Sequence, residues 1–175
     1  MQDFLKSFFK FNATLVFILV STFLIFFDQL IKFLVEGSFS VFDGFILIPG
    51  IFRLVYLKNY GAAFGIFFHK RLFLIIFTSC VLIFFTVFLI KFKIKKFYYL
   101  AAFSMLISGG VGNLIDRIFR GYVVDYCDLI FWPFENFAVF NLADCLTTVG
   151  CGMLFFKILF SKSDFESFFY KLSKR

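Results

Sequence analysis

Four long apolar runs constrain this chain more than any other feature. Phe11–Phe27, Leu72–Ile90 and Phe97–Ile115 contain no charged residue, and a fourth run from Phe137 onward holds only Asp144 before Lys157. With their flanks they reach the roughly 20 residues that a helix needs to cross about 30 Å of hydrocarbon. In that medium main-chain N–H and C=O groups find no water. The runs must therefore close their own hydrogen bonds as helices, whatever the strand preference of their many Phe and Ile residues. Composition agrees: 62% hydrophobic and 17% charged residues exclude a water-soluble globule, for which roughly 45–50% and about 25% are usual. The sequence reads as an α-helical integral membrane protein, a single domain over 1–175. Its four spans lie at about 11–34, 72–90, 97–115 and 137–160, with segments 36–71 and 116–136 on one outer face.

The basic residues orient the bundle. Lys6 and Lys10 precede the first span, Lys91, Lys93, Lys95 and Lys96 link the second to the third, and Lys157, Lys162, Lys171, Lys174 and Arg175 close the chain, which is 11 of the 18. By the positive-inside rule this side is cytoplasmic, with both termini inside. The net charge of +7 is thereby assigned to the membrane surface, and no nucleic-acid partner is expected. The first run continues through Asp28 and Lys32 without a small-residue cleavage site and reads as an anchor. Segment 36–58 has β-branched and aromatic residues punctuated by Gly44, Pro49 and Gly50, which predicts short strands joined by a turn. Trp132, Tyr122 and Tyr126 fall where an interfacial aromatic belt is expected.

In this topology the polar anomalies gather at one face of the membrane. Asp28 and Lys32, four residues apart on one helix face, are placed to pair at the end of span one. Asn59 precedes span two, Asn113, Asp116 and Arg117 close span three, Asp125 follows, and Asn141 and Asp144 open span four. Asp144 is expected about seven residues inside its span, on the order of 10 Å deep. A carboxylate there costs at least about 2.5 kcal/mol on insertion scales, so it needs a partner or a function. Asp28 brings its own counter-ion and suits a structural role, and Asp116 beside Arg117 is ambiguous in the same way. Asp125 has no adjacent base and is free for chemistry. Cys127, Asp128 and Glu135 read as ordinary loop residues. One His (His69) and four cysteines (Cys80, Cys127, Cys145, Cys151) without C-x-x-C spacing predict no metal and no cofactor. Two carboxylates without such help suit general acid–base work on water: one holds a proton while the other accepts one. A helix N-terminus favours Asp144 as the base, although swapped roles fit the sequence equally.

The blocks DQLIK (28–32), NYGAAFG (59–65), GGVGNLIDR (109–117), GYVVDY (121–126) and FNLAD (140–144) occur in the order and topological places seen in the bacterial type II signal peptidases. Over about residues 11–160 the chain resembles that lipoprotein signal peptidase family. The resemblance implies a four-helix inner-membrane aspartic endopeptidase that removes signal peptides from diacylglyceryl-modified prolipoproteins, cutting before the lipidated cysteine. It maps the catalytic pair onto Asp125 and Asp144, and the polar substrate and inhibitor contacts onto Asn59, Asn113, Arg117 and Asn141. Asp28 and Lys32 become a membrane-embedded structural pair, with Asp116 grouped beside them. It further implies an outer-face β-cradle, a helical lid segment between spans one and two, and susceptibility to the cyclic peptide globomycin. Departures are Ile31 where the family often has Thr or Ser, Cys145 in place of Ser, and Tyr126 followed by Cys127 where VVDF is usual.

Competing readings fit less well. A cation-coupled transporter needs a path to the inner side, yet no acid interrupts span two or three and the inner ends carry only Lys. A noncatalytic scaffold leaves the outer polar cluster unexplained. The G-x-G-D string of another intramembrane aspartyl protease class is absent from the chain.

Overall fold

The computed structural model describes residues 13–62, 67–92, 96–135 and 137–160. Among these described residues four helices are long and apolar enough to span a membrane: α1 (Ala13–Ser38), α2 (Arg71–Phe92), α3 (Phe97–Phe119) and α4 (Leu142–Phe160). Between them run three short strands, β1 (Gly44–Ile48), β2 (Phe52–Asn59) and β3 (Val123–Leu129), paired antiparallel in the order β1-β2-β3. Of the basic residues that orient the bundle, Lys6, Lys10, Lys93, Lys95 and those beyond 160 lie outside the described residues. So does 63–66, part of the segment between spans one and two to which the lid was assigned; Phe67–His69 after it forms a turn.

α3 is the hub. It packs against each of the other helices, and 50% of its most apolar window is buried inside protein against 11–17% for the other three. Small side chains make this possible, because helices in lipid associate by close backbone packing rather than by escaping water. A Cβ on Gly109 would collide with the Ala143 carbonyl and Thr147. One on Gly112 would lie 2.5 Å from Asp28 Oδ2, and one on Gly150 would lie 2.7 Å from the Ala102 carbonyl. Leu82 and Leu89 of α2 meet Phe103, Leu106 and Ile107 of α3 in one apolar cluster. The outward Phe side chains, such as Phe23, Phe26 and Phe84, are more than half exposed, as lipid-facing residues are.

Three helix limits differ from expectation. α1 runs to Ser38, so Glu36 joins the helix that holds Asp28 and Lys32. α3 continues past 115 to Phe119 and places a fully buried Asp116 within the helix; it stops where Arg120 and Gly121 both donate N–H groups to the Asp116 carbonyl, with Gly121 at φ +87°. α4 begins at Leu142 rather than about 137, because Phe131–Phe134 and Phe134–Phe137 are closed by turn hydrogen bonds and Phe140 bridges to Cys127. Asp144 therefore sits in the first turn and not seven residues deep.

The expected hairpin is β1–β2, turned at Pro49–Ile51 with Gly50 at φ +72°. β3 arises in a segment expected to be loop. Its run Val123-Val124-Asp125-Tyr126 is buried on both faces, which loop polarity does not anticipate. The sheet closes over the end of α1 through Val35, Tyr56, Val124 and Tyr126. Of the expected aromatic belt only Trp132 is exposed; Tyr126 is buried and Tyr122 turns inward to Glu36.

Candidate active site

The N-terminus of α4 organises the site. A helix start leaves its first N–H groups without intrahelical partners, and here each is met by a named side chain. Leu142 N–H donates to Tyr126 Oη (3.1 Å), Ala143 N–H to Asp28 Oδ1 (3.0 Å) and Asp144 N–H to Asn141 Oδ1 (3.0 Å). In return Asp144 Oδ2 accepts the Asn141 N–H at 3.1 Å, a reciprocal capping box in which the N-cap is Asn and the third residue is Asp. The Tyr for Phe departure at 126 thus supplies a hydroxyl to the helix start.

Asp125 projects from β3 beside this helix start and is 1% exposed. Its Oδ2 accepts Asn59 Nδ2–H at 2.8 Å and its Oδ1 accepts Asn141 Nδ2–H at 2.6 Å. Asp144 Oδ1 accepts Asn113 Nδ2–H at 2.8 Å. Each of these three amides is oriented by a donor that cannot turn round. Asn59 Oδ1 accepts Gly61 N–H (2.9 Å), Asn141 Oδ1 accepts Asp144 N–H, and Asn113 Oδ1 accepts Lys32 Nζ–H (2.9 Å). An ammonium and a main-chain N–H only donate, so each NH₂ is forced towards a carboxylate. Burial pushes the Asp125 carboxyl up to about 7; the charge of Asp144 adds to this, and the Asn59 and Asn141 hydrogen bonds oppose it. The pair is therefore built to differ in environment, one carboxyl shut in the sheet and one on a helix start.

Behind the pair lies a buried ion cluster. Lys32 Nζ is 2.9 Å from Asp28 Oδ2 and 2.9 Å from Asp116 Oδ2, and the side chains are fully buried. Asp116 also receives Arg120 Nη1–H (2.6 Å) and Gln29 Nε2–H (3.1 Å), and Arg120 reaches on to Glu36 (3.0 Å). Asp116 and Arg117, adjacent in sequence, face different ways. Asp116 turns to α1, while Arg117 lines the cleft and donates to the Gly61 (3.0 Å) and Asn113 (3.3 Å) carbonyls. Gln29, Glu36 and Arg120 belong to this architecture without having been singled out in the sequence, and Tyr126, noted there only for the belt and as a departure, caps α4. For Arg120 the signal was present, four residues after Asp116 on one helix face. Asp128, read as a loop residue, is buried on β3 and paired with Arg53 (2.8 Å).

Asn59, Asn113, Arg117, Asp125, Asn141 and Asp144 thus converge, whereas Asp28, Lys32 and Asp116 form the supporting cluster. All of the first set but the fully buried Asn141 line a cavity of about 610 Å³ that runs between α2 and α4, from the carboxylates to Thr78 and Val149. Its volume is that of a ligand site. Burial raises the Cys127 thiol to about 12, which leaves it protonated and a poor nucleophile beside Asp125.

Four spans around a polar-ended cleft define a multi-pass membrane enzyme. A family model described as signal peptidase (SPase) II matches residues 6–160. A lipoprotein signal peptidase of Streptococcus thermophilus is 40% identical over 127 residues, covering 73% of this chain and 81% of its own. One of Staphylococcus aureus is 34% identical over 142 residues, covering 81% and 86%. A solved structure described as a bacterial membrane enzyme, determined by the in meso method at 2.3 Å resolution, superposes with a TM-score of 0.79 at 33% identity over 88% of this chain and 92% of its own. The chain belongs to the signal peptidase II family, and as such is a bacterial multi-pass membrane protease.

Proposed function

We propose that the protein is an aspartic endopeptidase of the bacterial cytoplasmic membrane that removes the signal peptide from diacylglyceryl-modified prolipoproteins, cleaving before the lipidated cysteine. The observation that carries this reading is the convergence of Asp125 and Asp144, bridged by Asn141, at the head of the cleft. Asp144 takes a proton from a water molecule whose oxygen adds to the scissile carbonyl. Asp125, whose carboxyl titrates near neutrality, gives its proton to that carbonyl oxygen. As the tetrahedral species collapses, one of its two hydroxyls returns a proton to Asp125, the C–N bond breaks, and the nitrogen leaves with the proton first taken by Asp144. Asn59 and Asn113 hold the carboxyls in place, and Arg117 holds the Gly61 carbonyl beside the cleft.

The basic inner segments support an orientation with both termini cytoplasmic and the site near the outer face. There the acyl chains of a substrate stay in lipid while its peptide reaches the interface. Membrane lipids are the solvent of the bundle, and a cyclic peptide inhibitor such as globomycin competes for the same cleft. The test is cleavage of a purified diacylglyceryl-prolipoprotein in detergent by wild type, Asp125→Asn and Asp144→Asn, with unlipidated precursor as control. Cleavage that requires both carboxylates and the lipid is the expected result; full activity in either variant overturns the assignment.

A further inference from the structure

Between β3 and α4 the sequence places a Phe at every third position: Phe131, Phe134, Phe137 and Phe140. The backbone matches this period. Phe134 N–H donates to the Phe131 carbonyl (2.7 Å) and Phe137 N–H to the Phe134 carbonyl (2.8 Å), successive turns of three residues that bring side chains i and i+3 onto one side. The rings accordingly form a ladder, with centroids 5.2 Å apart for 131–134, 6.2 Å for 134–137 and 6.0 Å for 137–140. Phe134, Phe137 and Phe140 line the same cavity as Asp125 and Asp144. At the other end the ladder leads outward past Trp132, which is 81% exposed, and Phe134 and Phe137 are themselves 41% and 43% exposed. These rings lie outside the four spanning helices, in the segment that joins the sheet to α4 at the expected interface.

We propose that this ladder is a binding track for a fatty acyl chain of the lipidated substrate, leading from the membrane into the catalytic cleft. The proposal rests on the prolipoprotein reading above and names the part of the site that holds the lipid. The choice of hydrocarbon over peptide follows from the main chain. The N–H groups of Phe134 and Phe137 are used in the turns, and Phe140 spends its N–H on the Cys127 carbonyl and its carbonyl on the Tyr126 and Cys127 N–H groups. An extended peptide laid across these rings would find the main-chain groups of the Phe positions already used and would set its own polar groups against an apolar face. An acyl chain has none to pair, and a linear row of rings offers it continuous contact.

Two readouts separate this inference from the function it rests on. The first compares cleavage of prolipoprotein bearing two palmitoyl chains with the same protein bearing two hexanoyl chains, by wild type, Phe134→Ala/Phe137→Ala and Phe134→Leu/Phe137→Leu. The Ala pair is expected to reduce the long-chain to short-chain ratio of kcat/KM roughly tenfold, the scale on which apolar pockets discriminate chain length, and the Leu pair to restore most of it. Equal losses on both substrates indicate a structural loop and overturn the proposal. The second is photo-crosslinking of the Asp125→Asn protein by a diacylglyceryl-peptide carrying a terminal diazirine on its acyl chains. Label within 131–140 supports the track even if wild type cleaves nothing, a result that would sink the peptidase reading alone. Cleavage with label only elsewhere in the protein overturns the track and leaves the peptidase reading standing.

Discussion

Asn141 offers the sharpest dissection, because its two ends do separable work. Its Oδ1 caps α4 by accepting Asp144 N–H, and its Nδ2 donates to Asp125 Oδ1 at 2.6 Å. Asn141→Ala removes both, whereas Asn141→Ser keeps an oxygen able to cap and loses the amide donor. A cap is worth about 1 kcal/mol, and a hydrogen bond to a charged group about 1.5–3 kcal/mol. The Ala variant should lose about 2.5–4 kcal/mol and the Ser variant about 1 kcal/mol less. In thermal unfolding of the detergent-solubilised protein this separates the two midpoints by about 3 °C. The pH profile is the second readout. The Asn141 hydrogen bond favours the charged form of Asp125 and so opposes the upward push of burial. Without it the carboxyl rises further above 7, and since Asp125 works protonated, the alkaline limb of kcat moves to higher pH, on the order of one unit, in both variants. Equal midpoints for Ala and Ser, or a limb that stays put or moves to lower pH, would refute the two-ended account.

Lys32→Met should cost about 3–5 kcal/mol, since it strands Asp28 and Asp116 in a dry interior, while Arg53→Ala, which breaks a pair whose arginine is half exposed, should cost about 1 kcal/mol or less; unfolding midpoints of the two variants check the ranking. Tyr126→Phe leaves the Leu142 N–H at the start of α4 without its 3.1 Å acceptor and should destabilise by about 1 kcal/mol, read in the same assay. A carboxyl raised from 3.8 to about 7 binds its proton more tightly in the folded protein, so its contribution is full below about 3.8 and is lost as pH rises through 7. Asp125→Asn should therefore flatten the fall of stability with rising pH across that window, measured as unfolding midpoint against pH.

What could be read from the residues was what periodic burial and charge cost make explicit. Apolar runs of span length, the last broken only by Asp144, announced α1 to α4; the expense of a carboxylate in lipid marked Asp144, and the lack of a neighbouring base marked Asp125, before any geometry was known. The Asp28–Lys32 contact followed from four-residue spacing alone. What stayed hidden were relations between distant segments. β3 was hidden because a strand buried on both faces carries no alternation to recognise, and Asp128 was read as loop because its partner Arg53 is 75 residues away. The late start of α4 was hidden because Phe137–Phe140 is as apolar as the helix it precedes. Asp116 was grouped with Asp28 and Lys32, but its contact with Lys32 across two helices was not legible, because adjacency offered Arg117 as a partner while consecutive helical residues point apart.

The buried charges and the proposed catalytic pair form one structure, and Asn113 is the joint. Its carbonyl is held by Lys32, which is itself held by Asp28 and Asp116, and its amide reaches Asp144. Asp28 acts a second time, through the Ala143 N–H, on the helix start that carries Asp144. A cluster as costly to bury as this one is weak evidence for stability on its own. Its geometry makes sense once its output is counted: an ammonium orients an amide, the amide orients a carboxylate, and a second carboxylate aligns the helix beneath it. Replacing the cluster with apolar side chains of similar volume could leave the bundle folded and still free Asn113 to turn its carbonyl towards Asp144. The repulsion of two oxygens would then misplace the carboxylate, so folding and cleavage respond to the same residues for different physical reasons.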